Sequence, residues 1–352
     1  MTEHSGPVSY AHLRAFIAAA FERLDLTAAD AFSVATLMAE ADLQGSDGHG
    51  VIRLPQYAKR IKAGGVNPRP DIRVVQERSG MALIHGDNGM GHLVMARAAR
   101  LAIEKARVAG IAWVGSQRSN HAGPASLYAR MPLAHDMIGL YFAVGNANHL
   151  PPWGGLDMLL STNPIAAAVP AGAEAPVVLD MATTVAAYGK VKAKAQRGET
   201  MPEGWMIDRE GRPLTDPKRA EEGFLLPIGG YKGYGLALLV GLLAGTLNGA
   251  AMGKDVVDFN HDQASVTNTG QAIIAIDIAA FGDVEAFKKR VDALVRDLRG
   301  GSRMPGVERI WLPGEQSQAK RVAYARDGIP IAAGLRRNLN QLAAELGIAA
   351  LG

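Results

Sequence analysis

The run from Asp47 to Tyr57 constrains this 352-residue chain most, because it requires a loop around a histidine and a helix directly after it. His49 lies between two glycines, which favour a loop, and Arg53 and Tyr57 follow at intervals of four residues. Residues four apart share one face of a helix, so a helix beginning at the second glycine places all three side chains along one edge. Pro55 then falls near the first turn, where its missing N–H costs little.

These three residue types suit a small carboxylate substrate. A guanidinium matches the planar fork of a carboxylate, and an imidazole exchanges protons near neutral pH. The run by itself leaves open an ordinary alternative, in which a loop histidine is followed by a solvated arginine and a half-buried tyrosine.

The composition indicates a folded protein with a buried core and excludes several functions. Hydrophobic residues make up 48% and charged residues 20%, and the length allows two domains. The 37 basic and 34 acidic residues leave a net charge of +3, which suits anionic metabolites and is too weak to indicate nucleic acid. With no cysteine, the chain has no disulfide, thiolate zinc site or cysteine nucleophile.

No membrane attachment is expected. The first five residues carry neither a basic nor an apolar targeting region, so we expect a cytoplasmic protein. The most apolar stretch, Leu236–Leu247, contains glycines and is well short of the roughly 20 residues of a membrane span. We expect it to be a buried helix.

The periodicity predicts helices at both ends and a mixed α/β centre. We expect N-terminal helices at Ser9–Glu22 and Thr27–Leu43, a break at Lys62–Arg69, and C-terminal helices at Glu315–Asp327 and Ala333–Leu346. Strand Met81–His85, helix His92–Ala109 and strand Ile111–Gly115 form a strand–helix–strand unit, complemented by helix Gly235–Asn248, strand Gln271–Asp277 and helix Val284–Leu298. These two segments are expected to share one small sheet, with further strands at Met137–Val144, Ile165–Val169 and Val177–Asp180 between them.

Two polar loops follow predicted strands. His121 lies in Ser119–Pro124, at the carboxyl edge of a sheet where α/β sites form, although a histidine there could instead cap the next helix. The segment from Gly145 to Gly155, with Ser161–Pro164 after it, could hold a ribose or an amide, or be plain turn structure.

Two more segments could receive phosphate. Asp180 ends a strand, and we expect a helix to follow it. The N-terminus of that helix at Ala182–Thr184 could bind a phosphate, or Asp180 or Thr183 could simply be its N-cap. Lys232 lies in the glycine-rich run 229–235. A basic run follows the Asp180 segment, with Lys190, Lys192, Lys194 and Arg197. Such runs more often form a solvated face than a site for a cofactor phosphate. Neither a G-x-G-x-x-G fingerprint after a strand nor metal-ligand histidine spacing is found.

Taken in order, these segments resemble the malate/L-lactate dehydrogenase family of NAD(P)-dependent oxidoreductases, which is distinct from the Rossmann lactate dehydrogenases. The resemblance runs from about Tyr10 to Gly314. It rests on His49-Gly50-Val51-Ile52-Arg53, Asn120-His121, Pro151-Pro152-Trp153-Gly154, Thr162-Asn163-Pro164, Asp180-Met181-Ala182 and Lys232-Gly233.

The resemblance implies a non-Rossmann, two-domain α/β fold with interleaved domains and helical terminal segments. Residues 1–75 would be the helical part of the substrate domain, 76–118 with 228–300 the small cofactor domain, and 119–227 with 301–352 the rest of the substrate domain. It also implies a homodimer or a multiple of dimers, with the site near a subunit contact.

The resemblance assigns roles by residue. His49 would be the general acid/base, with His121 and Asp180 assisting, and Arg53, Tyr57 and His121 would bind the substrate. NAD or NADP would be held by Asn120, Asn146, Thr162, Asp180, Met181, Ala182, Tyr231, Lys232, Gly233, Gly314 and Glu315. The distinction between NAD and NADP stays open. Arg303 and the Lys190–Arg197 run are candidates for the basic group near the ribose 2′-position that would favour NADP.

Two positions depart from the family pattern. Gly48 stands where a serine usually precedes the catalytic histidine, and Ala147 where some relatives have a serine. The expected reaction is hydride transfer between NAD(P)(H) and the α-carbon of a 2-hydroxy or 2-oxo acid. A cyclic-imine reductase is the alternative that Gly48 disfavours. Two further alternatives remain. One is a cofactor-independent lyase or isomerase that uses the two histidines, and the other is a non-catalytic metabolite-binding protein.

Overall fold

A computed structural model describes residues 6–352, apart from the side chains of Ala193, Gln196 and Arg197. The expectations for the first five residues and for Arg197 therefore lie outside the described part. The helices are α1 (Tyr10–Glu22), α2 (Ala28–Leu43), α3 (Leu54–Lys62), α4 (Gly91–Ala109), α5 (Ser126–Ala129), α6 (Tyr188–Arg197), α7 (Tyr231–Ala244), α8 (Val284–Gly300), α9 (Glu315–Asp327) and α10 (Ala333–Leu346). The strands are β1 (Arg73–Arg78), β2 (Met81–His85), β3 (Ile111–Ser119), β4 (Met137–Ala143), β5 (Ile165–Val169), β6 (Val177–Met181), β7 (Met206–Asp208), β8 (Gly223–Leu225) and β9 (Thr269–Asp277).

The terminal helices form one layer, and their predicted positions are confirmed. Ser9 caps α1, and Thr27 caps α2 by accepting the Asp30 N–H at 3.1 Å while donating to the Asp30 carboxylate at 2.8 Å. Buried apolar residues of α1, α2, α3 and α10 share one hydrophobic core. This layer carries the segment with His49 against the sheet.

The sheet has the order β1-β2-β3-β9-β4-β5-β6, in which β2 and β3 pair in parallel and the other neighbours are antiparallel. The predicted strand–helix–strand unit is confirmed, as is its pairing with the distant strand β9. The sheet is larger than expected because β9 also pairs with β4, which brings β4, β5 and β6 into the same sheet. The division of the chain into domains stays a prediction.

Strand β1 is absent from the sequence-based prediction. It lies at the edge of the sheet, and five of its six residues are exposed, so it lacks the apolar alternation that marks a half-buried strand.

Small side chains in the middle of the sheet allow helices to approach closely. Ala166, Ala168 and Ala275 are fully buried, and they lie in the core that also includes α4 and α5. Gly139 of β4 packs against the end of α5: a Cβ there would lie 2.1 Å from the carbonyl oxygen of Ala129. Glycine at this position therefore sets the separation between α5 and the sheet.

The expectation that the apolar stretch Leu236–Leu247 forms a buried helix is wrong. Helix α7 buries one face, formed by Ala237, Val240, Gly241 and Ala244, whereas Leu236, Leu239 and Leu242 are 39%, 51% and 44% exposed. The small residues pack on the sheet, so the leucines point away from it. Within residues 6–352, no helix combines the length and apolar character needed to cross a membrane.

We expect Gly139→Ala to destabilise the protein by about 1–3 kcal/mol, because the added methyl group meets backbone that must shift. Gly300→Ala is the matched control, since a Cβ there meets nothing within 4 Å. Urea unfolding followed by circular dichroism measures both. Equal midpoints for wild type and Gly139→Ala would contradict the close approach.

Candidate active site

The loop with His49 is anchored by a buried carboxyl group. Asp42 Oδ2 of α2 accepts the backbone N–H of Val51 at 2.7 Å, at the start of the 3₁₀ turn Val51–Arg53 that leads into α3. A Cβ on Gly50 would lie 2.1 Å from Asp42 Oδ1, so only glycine allows this approach. Burial raises the pKa of Asp42 to about 7, although the Val51 hydrogen bond opposes that shift.

Two predicted imidazoles face each other. The rings of His49 and His121 are stacked with centroids 5.6 Å apart and an angle of 8° between their planes. Phe259 stacks on His121 as well, with ring centroids 5.1 Å apart. His121 follows β3 and His49 precedes α3, so the stack joins the sheet to the helical layer. Within the described part of the chain, the ring nitrogens of His49 have no hydrogen-bond partner.

Tyr57 fixes the proton position on His121. Its hydroxyl oxygen lies 2.6 Å from His121 Nδ1, and burial raises the pKa of this phenol, so the phenol is neutral and donates. The backbone N–H of Gly123 also points at Nδ1, at 3.4 Å. Since Nδ1 accepts, the neutral ring carries its proton on Nε2 and can donate from there.

Arg53 is held with part of its guanidinium free. Its Nε donates to the Gly48 carbonyl oxygen and its Nη1 to Gln56 Oε1, both at 2.8 Å. Gln56 in turn donates to the carbonyl oxygen of Phe259 at 3.0 Å, and the guanidinium carbon lies 5.5 Å from the centroid of that phenyl ring. Among the described residues nothing accepts a hydrogen bond from Nη2, which leaves it for an anion.

The surroundings keep the imidazoles neutral. Burial, and then the positive charge of Arg53, lower the pKa of His49 to about 4. The same two causes, followed by the other histidines, hold the pKa of His121 well below its usual range. At neutral pH the pair therefore consists of one neutral donor ring and one neutral ring able to accept a proton.

His92 and Phe259 belong to this cluster and were missed from sequence. His92 is fully buried at the start of α4, and its ring lies edge-on to Tyr57 with centroids 5.8 Å apart. Neither of its ring nitrogens has a hydrogen-bond partner among the described residues. Burial, then His49, lower its pKa to about 3. The available signal for His92 was a histidine directly before the apolar run 93–96 at the start of a helix; for Phe259 the sequence offers none.

The end of β6 gathers several predicted cofactor segments. Thr183 donates to the carbonyl oxygen of Thr162 through its N–H at 2.9 Å and its hydroxyl at 3.0 Å, and its own carbonyl accepts the Ile228 N–H at 3.0 Å. Ile228 leads through two glycines into the first turn of α7, where Tyr231 and Lys232 are exposed and Gly233 is buried. On the same strand, the Val178 N–H donates to the carbonyl oxygen of Pro313, next to Gly314.

The predicted helix after Asp180 does not exist. Residues 182–187 form a loop because Thr183 is bound to Thr162 and Ile228, and α6 begins only at Tyr188. The phosphate-binding helix start expected at Ala182–Thr184 is therefore absent. Asp180 does cap a helix, but another one: its Oδ2 accepts the Ser126 N–H of α5 at 2.9 Å. Met181 and Ala182 follow Asp180 in sequence, where β6 ends.

Three predicted cofactor residues already have partners within the protein. Asn120 donates to Asn88 and Gly89 and accepts from Thr267, all within 3.0 Å. Asn146 donates to Thr269 Oγ1. Glu315 accepts from Arg299 at 2.7 Å and from the Leu312 N–H at 3.0 Å. These side chains hold segments of the protein to one another. Across the residues that the structure describes, no cluster of histidine and acidic side chains is suited to a metal ion.

Comparison with known proteins identifies the family of this chain. Residues 8–340 match the family described as malate/L-lactate dehydrogenase. The malate dehydrogenase of Pyrococcus horikoshii is 38% identical over 96% of this chain and 95% of its own length. An NAD(+) ureidoglycolate dehydrogenase of Escherichia coli is 33% identical, covering 86% and 85%. A Δ1-pyrroline-2-carboxylate/Δ1-piperideine-2-carboxylate reductase of Pseudomonas putida is 34% identical, covering 86% and 89%.

Solved structures agree with the sequence relatives. The sulfolactate dehydrogenase of Methanocaldococcus jannaschii superposes with a TM-score of 0.91 at 34% identity, covering 98% of each chain. The malate dehydrogenase structure from Pyrococcus horikoshii gives 0.90 at 35% identity, covering 99% of this chain and 98% of that one. The chain belongs to the malate/L-lactate dehydrogenase family of oxidoreductases.

Proposed function

We propose that this protein transfers a hydride between NAD(P)(H) and the α-carbon of a small 2-hydroxy or 2-oxo acid. The observation that carries the proposal is the stack of His49 on His121 beside a guanidinium with one free nitrogen. Together these groups can bind a carboxylate and handle the proton of a neighbouring oxygen.

The segments that meet at the end of β6 are suited to an extended dinucleotide. In the first turn of α7, Tyr231 and Lys232 are exposed and there is no side-chain cap, so N–H groups of this turn and Lys232 can meet a pyrophosphate. The bound nicotinamide would supply or accept the hydride. We assign the remaining cofactor contacts to Thr162, Met181, Ala182, Tyr231, Gly233 and Gly314, with Asp180 as a positioning group beside them.

The substrate-side roles follow from the hydrogen bonds. Arg53 Nη2 binds the substrate carboxylate and orients the α-carbon. His121 donates from Nε2 to the reacting oxygen, since Tyr57 occupies its Nδ1. His49, which has no partner in the described part, gives the proton in reduction and takes it in oxidation. This arrangement ranks His49 as the acid/base and His121 as the donor that polarises the oxygen.

Substrate binding also adjusts the acid. The charge of Arg53 is one of the two causes that lower the pKa of His49. A carboxylate bound to Arg53 offsets that charge, so the pKa of His49 rises towards the range in which it can protonate an alkoxide. We therefore expect proton uptake when a 2-oxo acid binds.

A reduced-cofactor assay tests the proposal. NADH and NADPH oxidation is followed by absorbance with 2-oxo acids of different length and with cyclic imino acids. Turnover of an oxo acid supports the proposal and identifies the cofactor. Turnover of imines alone would favour the reductase alternative, which the Pseudomonas putida relative makes worth testing. Conversion of a hydroxy acid without any cofactor would favour a lyase or isomerase instead.

We further propose a cytoplasmic homodimer or a multiple of dimers. The exposed leucine face of α7, with Leu236, Leu239 and Leu242, supports association because apolar side chains on one helix face favour burial against a partner.

We expect His49→Asn to lower kcat about 10²–10⁴-fold, because the proton donor is lost. Arg53→Met should instead raise the KM for the oxo acid about 10- to 100-fold, since a charge-assisted hydrogen bond is lost. The exposed Lys59 on the same helix provides the control, Lys59→Met. Steady-state kinetics measure all three. A similar loss of NAD(P)H binding in the first two variants would contradict the assigned roles.

The pH dependence of kcat/KM should have opposite signs in the two directions. Oxidation needs neutral His49, so its rate should hold as the pH falls to about 5 and then decline around the pKa of about 4. Reduction needs the protonated ring, so its kcat/KM should decline as the pH rises above about 5. Measuring both profiles, with His49→Asn as the reference lacking this break, tests the assignment. A flat reduction profile would contradict it.

Leu239→Glu should convert dimers into monomers if the α7 face is the subunit contact, because a buried unpaired carboxylate is costly. Light scattering after gel filtration gives the mass. Phe281→Glu, at a residue that is 78% exposed elsewhere on the surface, is the control. A monomeric wild type, or a dimeric Leu239→Glu variant, would contradict this contact.

A further inference from the structure

The side-chain amide of Gln56 connects the guanidinium of Arg53 to the loop of residues 256–268, which carries Phe259 and which we call the Phe259 loop. Gln56 Oε1 accepts from Arg53 Nη1 at 2.8 Å, and Nε2 donates to the carbonyl oxygen of Phe259 at 3.0 Å. A guanidinium only donates and a carbonyl oxygen only accepts, so these two partners fix the direction in which the amide points. Gln56 therefore holds one donor of Arg53 and the backbone of a distant segment at the same time.

The Phe259 loop is attached to α3 at a second point, one turn further along the helix. Arg60 is buried, and its guanidinium donates to the carbonyl oxygen of Asp262 and, at 2.9 Å, to that of Ser265. Because residues four apart lie on one face of a helix, Gln56 and Arg60 hold successive parts of the same loop. Arg60 fixes the later part, and Gln56 fixes the part next to the proposed substrate site.

Phe259 contacts two groups of the proposed substrate site. Its ring stacks on His121 with centroids 5.1 Å apart, and the guanidinium carbon of Arg53 lies 5.5 Å from the centroid of the same ring. Arg53, Gln56 and Phe259 thus form a closed cycle of contacts. A shift of the Phe259 backbone would displace the ring that supports His121 and would move the amide that holds Arg53.

The cycle also limits the orientation of the guanidinium. Arg53 Nε donates to the carbonyl oxygen of Gly48 at 2.8 Å. One hydrogen bond lets a planar group rotate about that bond, whereas the second bond, from Nη1 to Gln56, removes this rotation. The direction of Nη2 is then set before a carboxylate arrives, and such preorganisation reduces the entropy lost on binding.

We infer that Gln56 is a positioning residue that couples carboxylate binding at Arg53 to the placement of the Phe259 loop on His121. The inference rests on the proposed function, in which Arg53 Nη2 binds the substrate carboxylate and His121 donates to the reacting oxygen. A carboxylate on Nη2 restrains the guanidinium, and this restraint reaches the Phe259 loop through the amide of Gln56. A bound acid therefore orders the loop as well as the arginine.

A double-mutant cycle tests whether Gln56 acts through Arg53. We expect Gln56→Met to lower kcat/KM for the oxo acid about 10-fold, mainly through KM, because a guanidinium that can rotate binds the carboxylate less well. In the Arg53→Met background the same substitution should change kcat/KM by less than about twofold, since the group that Gln56 orients is absent. A general loss of folding would give the same fall in both backgrounds. Gln316→Met, at an exposed residue of α9, is the matched control.

Hydrogen–deuterium exchange read by mass spectrometry tests the coupling to the loop without turnover. Saturating oxamate, an amide isostere of pyruvate, should slow the exchange of residues 256–261 in wild type and in Gln316→Met, but not in Gln56→Met. Residues 262–268, which Arg60 holds, should exchange alike in all three proteins. In the free protein Gln56→Met should already speed the exchange of residues 256–261, because the hydrogen bond to the Phe259 carbonyl oxygen is lost.

An equal fall in kcat/KM in both Arg53 backgrounds, or no fall in either, would overturn the inference and leave the proposed function intact. Slower exchange with oxamate that persists in Gln56→Met would overturn it as well. If no oxo acid is turned over and oxamate does not bind, the proposed function fails, and the free protein decides the role of Gln56 separately. Faster exchange of residues 256–261 in Gln56→Met would then support its hold on the loop, and equal exchange would overturn it.

Discussion

The hydrogen bond from Tyr57 to His121 Nδ1 is the interaction on which the site depends most. It joins helix α3 of the helical layer to the loop after β3, so the two layers of the fold meet at the reacting groups. Because the buried phenol stays protonated, it fixes which nitrogen of His121 carries the proton. Its loss would leave the ring free to change tautomer and orientation, even with every other group in place.

Charge balance is the second constraint. Arg53 lies beside the two imidazoles, which are kept neutral by burial and by this nearby cation. In the proposed mechanism a carboxylate bound to Arg53 makes His49 a better acid, which would couple binding to proton transfer. Among the described residues His49 has no carboxylate partner. This arrangement is consistent with the family, whose members act on acids.

The sequence predicted the parts of the site that depend on local spacing. The spacing of His49, Arg53 and Tyr57 predicted that these three side chains lie along one edge, whereas only the family resemblance grouped His121 with them. Groups from segments distant in sequence could not be predicted. Phe259, for example, lies in a loop and stacks on His121, which is 138 residues earlier in the chain. The helix expected after Asp180 failed for a similar reason, because hydrogen bonds of Thr183 to two distant segments hold that stretch as a loop. The size of the sheet also depended on the long-range pairing of β9 with β4.

The central claim is that a hydride moves directly between a nicotinamide and the α-carbon of an acid held by Arg53. Its most direct test uses NADH or NADPH that carries deuterium at the transferable position of C4, with a 2-oxo acid as acceptor. Mass spectrometry and proton NMR of the product should find one deuterium, at C2 of the hydroxy acid. A hydroxy acid without deuterium at C2 from either face-labelled cofactor, or no reaction with any oxo acid, would contradict the account.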